Sequence, residues 1–144
     1  MRSPFLYPLL IVASVLAVSP ASARMIVLSA TLDGQKQVPP VETAGKGTAE
    51  VSYDTNTRQL DWTVTYGGLS GPATAAHFHG PAGPGENAPP VISFKAPLAS
   101  PVSGSATLTE EQAKELLDGK FYINIHTAAH KDGEIRGQVT KAPL

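Results

Sequence analysis

The chain has 144 residues, no cysteine, and a formal net charge of −1 at pH 7. Without cysteine there are no disulfides, no thiolate metal ligands and no lipid-bearing cysteine, so stability must come from apolar burial, hydrogen bonds and any bound ion. No basic block and no interleaving of basic with aromatic residues is present, which sets nucleic-acid binding aside.

The first segment, "MRSPFLYPLLIVASVLAVSPASA", reads as a secretory signal covering residues 1–23. Arg2 supplies the positive start, Leu9 to Val18 the apolar run, and Ala21-Ser22-Ala23 the small-x-small cleavage pattern. A spanning helix needs about 20 apolar residues, and Pro20 interrupts this run early. The expected product is a secreted or periplasmic chain beginning at Arg24, with residues 24–144 as one domain and no membrane association after cleavage.

Most of the chain beyond Arg24 alternates with a period of two, as strands with one buried face do. Ile26, Leu28, Ala30 and Leu32 share one face of the first. "GTAEVSYD" is extended again, and an Asp54-Thr55-Asn56 turn leads into a strand whose Leu60, Trp62, Val64 and Tyr66 line up. Trp62 is therefore assigned to the core. "ATAAHFH" gives a further strand, Gly80 to Pro90 a proline-glycine loop, and "VISF" and "VSGSATLT" two more strands. One short helix is predicted, with Thr109 and Gln112 as a capping box, Glu110 and Glu111 in the first turn and Gly119 at its end. A last hairpin, "KFYINIHT" and "GEIRGQVTK", turns at His130-Lys131-Asp132-Gly133. The predicted class is all-β, an antiparallel β-sandwich of Greek-key or immunoglobulin-like kind with one short helix.

All four histidines lie in two short segments, "AAHFHGPAGPGENAPP" and "NIHTAAHKDGEIRGQ". On a strand, residues i and i+2 share a face, so His77 and His79 project together while Phe78 enters the core. The same rule sends Phe121, Ile123 and Ile125 inward, and Tyr122, Asn124 and His126 outward. Two imidazoles from one strand can converge on an ion if a neighbouring strand supplies a third, with metal–nitrogen distances of about 2.0–2.1 Å. His126 is the natural third ligand, and His130 in the hairpin loop is a candidate fourth. Imidazole-only sites suit copper(II), zinc and nickel; copper has the highest intrinsic affinity, and zinc is the alternative. Asp132 and Glu134 are further oxygen donors within reach of such a site, although turn chemistry alone accounts for Asp132-Gly133. Glu134 and Arg136 share a strand face and are expected to form a surface pair of little worth.

The two histidine segments in this order, preceded by "LSATLDGQKQVPPVETAGKGTAEVSYD" with its Gln37-Val38-Pro39-Pro40 turn, resemble the CHRD domain, named after chordin and common in exported bacterial proteins. The likeness covers about residues 25 to 140. Lys131 departs from the family pattern, which often carries proline after the second loop histidine. By architecture and strand-borne histidines the chain is also loosely similar to Cu/Zn superoxide dismutase, as analogy only. An exported metal-binding domain is the leading reading. The alternative is an extracellular module whose histidine face and Gly80 to Pro90 loop bind a protein or polysaccharide without metal. Catalysis is not expected. Four histidines do not furnish a zinc-bridged dismutase centre, Ser103 and Ser105 lie in no nucleophile elbow, and Glu86 is a solvated loop residue.

Overall fold

The computed structural model describes residues 22–143, so all but the last two residues of the predicted signal segment 1–23 lie outside the described residues. Among the described residues, nine strands and one helix come in the order β1 Met25–Asp33, β2 Lys46–Asp54, β3 Gln59–Gly67, β4 Ala73–His79, β5 Pro90–Ser93, β6 Val102–Thr107, α1 Glu110–Leu117, β7 Tyr122–Thr127, β8 Ile135–Gln138 and β9 Thr140–Lys141. All pairings are antiparallel. The order across the sheet is β5-β4-β7-β8-β1-β2-β3-β6, with β9 added on β1.

The all-β class with a single short helix holds, but the two layers are not independent sheets. They are two halves of one nearly closed sheet, open between β5 and β6. The halves join at β8 and β1 through a single residue pair, Asp33 with Arg136. Packing across the fold brings Trp62 of β3 edge-on to Phe78 of β4 and stacks it on Phe94, each at 5.1 Å between ring centroids. The alternating residues fill this interior as the periodicity predicts: Leu28, Ala30 and Leu32; Ala49, Val51 and Tyr53; Leu60, Trp62 and Val64; Ala76 and Phe78; Phe121, Ile123 and Ile125. Gly104 of β6 lies directly under the Trp62 indole, and a Cβ there would overlap the ring.

The helix has its capping box. The Thr109 hydroxyl accepts from the Gln112 backbone N–H at 3.1 Å, and the Thr109 N–H donates to the Gln112 side chain at 3.0 Å. It buries Ala113 and Leu116 and ends at Gly119, whose φ of 74° suits a residue without Cβ. Two local features differ from expectation. "GEIRGQVTK" is not one strand, because the chain changes partner at Val139: β8 pairs with β7, and β9 pairs with β1. Residues Gly34–Lys36 form a 3-10 turn in which the Gly34 carbonyl accepts from both Gln37 and Val41, folding the Gln37-Val38-Pro39-Pro40 segment back over the sheet.

Candidate metal centre

The site is built by the register of β4 against β7. His77 lies opposite Asn124, His79 opposite Tyr122, and Ala75 opposite His126. His126 is thus diagonal to His77 on the face away from the core, while Phe78 between the two β4 histidines is fully buried. The ring centroids are 5.4 Å apart for His77 and His79, 5.0 Å for His77 and His126, and 6.1 Å for His79 and His126. One nitrogen from each of the three falls within 4.8 Å of the others. Two nitrogens bound tetrahedrally at about 2.0–2.1 Å sit about 3.4 Å apart, so modest side-chain rotation closes the group on an ion.

Backbone carbonyls set the tautomers of two rings. His79 Nδ1–H donates to the Ala88 carbonyl at 2.8 Å, and His126 Nδ1–H donates to the Lys131 carbonyl at 2.7 Å. Each ring therefore presents Nε2 as a lone pair, the arrangement found when outer hydrogen bonds orient a ligating histidine. His77 Nδ1–H donates to His126 Nε2 at 3.1 Å. His79 is only 8% exposed, and its Nε2 is buried with no hydrogen-bond partner among the described residues. A buried acceptor left unpaired costs about 1–3 kcal/mol, which a ligand would relieve. Burial lowers the pKa of His77 below that of an ordinary histidine, and repulsion from His126 adds to the effect. For His79, burial also dominates. The Ala88 hydrogen bond opposes it, and repulsion from His77, His126 and Arg136 reinforces it. Both rings are thereby held in the neutral form that a metal requires.

A polar scaffold supports this face. The Tyr122 ring stacks on His79 at 4.8 Å and 8° and carries the Arg136 guanidinium over it at 3.5 Å. The Tyr122 hydroxyl donates to the Ala88 carbonyl and accepts from the Ala88 N–H, both at 3.1 Å. Arg136 donates to the carbonyls of Gly83 and Glu86 at 3.2 and 2.7 Å and to the Asn87 side chain at 3.1 Å, pinning the Gly80 to Pro90 loop to the sheet. Tyr122 and Asn124 do face away from the core as alternation requires, but they are buried beneath this loop and beneath Gln37, whose side chain donates to Asn124 at 2.9 Å.

The expected surface pair of Glu134 and Arg136 is a correction. They are 0% and 1% exposed and do not bond each other. The Glu134 carboxylate accepts from the hydroxyls of Thr43, Ser70 and Thr127 at 2.6, 2.7 and 2.6 Å and from the Ser70 N–H at 2.8 Å. Burial alone would raise its pKa, but these donors, Thr127 foremost, together outweigh it and bring the value down to about 2. The signal available in the sequence was the pair of glycines around "EIR". Gly133 and Gly137 leave room for Asn124 and for the Thr31 backbone to press against this strand.

The three-histidine group does not include His130, which lies in the hairpin turn, where its carbonyl accepts from Thr127 and Gly133 at 3.3 and 3.0 Å. Asp132 and Glu86 are exposed, and the Glu86 carboxylate accepts from the Gly83 N–H at 3.3 Å. Glu134 is occupied by its four donors, so no carboxylate joins the group among the described residues.

Comparison with known proteins matches the CHRD domain family over residues 28–139, and the chain belongs to that family, whose domains occur in extracellular proteins. No curated protein and no solved structure matches it. No helix among the described residues is long and apolar enough to cross a membrane.

Proposed function

We propose that this CHRD-domain protein is an exported metal-binding domain in which His77, His79 and His126 hold one copper ion, with zinc as the alternative. The observation that supports this reading is the pair of carbonyl-fixed tautomers, which leave Nε2 of His79 unpaired and Nε2 of His126 an acceptor engaged only by His77, with one nitrogen of each of the three rings within 4.8 Å of the others. A histidine pair on an ordinary wet strand face has no reason to bury an unpaired nitrogen, as His79 does. Imidazole-only donors favour copper(II) by intrinsic affinity where that ion is present. Export rests on the signal segment, and cleavage after Ala23 is checked by the mass of secreted material. A mass that retains residues 1–23 overturns it.

Titration calorimetry of the exported protein with copper(II) and zinc(II) tests the metal reading. One tight site per chain is expected, abolished in a variant lacking all three histidines. Weak binding at several sites, unchanged in that variant, overturns it. The interaction-module reading draws on the loop tip, where Pro84, Gly85, Glu86 and Asn87 are exposed on a rigidly pinned backbone. It takes first place if metal does not bind while that loop retains a protein or polysaccharide.

A further inference from the structure

Three neutral imidazoles leave a divalent ion short of both ligands and charge. Structural zinc sites take four protein ligands, and sites with three keep a position for an exogenous group. Among the described residues, no contact on this face supplies the fourth ligand. His130 is outside the group, the Glu134 carboxylate is held by Thr43, Ser70 and Thr127, and Asp132 and Glu86 are exposed to solvent. No thiolate exists in the chain.

A cation is also built into this face. Arg136 lies on the Tyr122 ring, which itself stacks on His79, and the guanidinium's hydrogen bonds go to neutral acceptors, with no salt bridge to a carboxylate among the described residues. At the rim stands Lys131, exposed, with its backbone carbonyl hydrogen-bonded to His126 Nδ1 across the ring from the metal-facing Nε2. Lys131 is therefore anchored by its main chain next to His126, with an exposed, positively charged side chain.

Resting on the metal reading, we propose that the loaded centre is an anion-binding site: a small anion completes the coordination, entering between His77 and His126, and Lys131 recruits it. Neutral donors on the ion with cations beside and beneath it make an incoming negative charge the complement of the site. Because the contact with His126 is made by backbone, the Lys131 side chain can be changed without touching the ligand set.

The exported protein, loaded with one equivalent of copper(II), is titrated with sodium azide while the ligand-to-metal charge-transfer absorption and the electron paramagnetic resonance spectrum are followed. A saturable new absorption band and a shifted spectrum are expected. Lys131→Gln should weaken azide binding about twofold at low ionic strength and much less in molar salt, since the charge acts across solvent. Copper affinity should not fall in this variant, because removing a cation cannot weaken the hold on a dication. Copper held through nitrogen with a spectrum indifferent to azide overturns the anion site and leaves the metal reading standing. Azide binding equal in the parent and in Lys131→Gln at low salt overturns the role of Lys131. Absence of nitrogen-bound copper overturns both readings.

Discussion

At the level of single residues, the three histidines are not equivalent. His77 and His126 are partly exposed and already share a hydrogen bond, whereas His79 is buried and stacked on Tyr122. Replacing any of the three by alanine should weaken copper binding at least tenfold by calorimetry, and His130→Ala should change it by less than twofold. His79→Ala should also lower the stability of the metal-free protein by about 1–2 kcal/mol in a denaturant titration, because an aromatic stack and a buried side chain are lost. Similar small effects from all four substitutions would mean scattered surface binding. Strand alternation predicted which way each of these rings points, because the two-residue period is enforced by the pleat. It could not predict that His126 would stand apart from His130, since that depends on the hairpin turn holding the His130 backbone against Thr127.

Among the elements, the β7–β8 hairpin joins the site to the rest of the fold through charges that local pattern misassigns. Period two correctly put Glu134 and Arg136 on the face away from the core, and nothing in that period says what covers the face. The covering segments arrive from far along the chain: Thr43 and Ser70 onto Glu134, and the Gly83 to Asn87 stretch onto Arg136. The Glu134 carboxyl titrates at about 2 when folded against an ordinary 4.5, so the unfolded chain takes up its proton first as pH falls. Its contribution is therefore complete above about pH 4.5 and is lost progressively between there and pH 2, a total of about 3 kcal/mol. Glu134→Gln should lose most of that amount at pH 7, because an amide cannot accept from all four donors, and should flatten the stability profile between pH 4.5 and 2. An unchanged profile in chemical denaturation would show that Glu134 does not carry the acid sensitivity. Gly133 serves the same hairpin. Its φ is 119° and a Cβ there would strike the Asn124 amide, so Gly133→Ala should destabilise by about 2 kcal/mol or more and weaken metal binding with it.

For the molecule as a whole, binding to the folded state alone should appear as thermal stabilisation. At a hundredfold excess of free ion over Kd the gain is about 2.7 kcal/mol. Copper should therefore raise Tm at pH 7.5 and much less at pH 5, where protons compete for imidazole, and a variant lacking His77, His79 and His126 should fold yet show no shift. The β-rich class, the helix with its cap, and the core were readable because each follows from a short repeating pattern. The folding of one sheet into two layers was not, since it depends on which strands meet: the β8–β1 joint is one residue pair, and no local signal encodes it.

The order of strands across that sheet has a kinetic meaning. The meander of β1, β2 and β3 closes between strands that follow one another in the chain, while β4 finds β7 only after β5, β6 and the helix have intervened. Contacts between remote segments form late because the chain must first surrender the freedom of the intervening loop. His126 therefore joins His77 and His79 only when the second half of the sheet is assembled, and an unfolded chain threaded across a membrane carries no completed centre. On the proposed reading, an exported chain would acquire its ion only as the finished fold, and metal capture would report that folding after export is done.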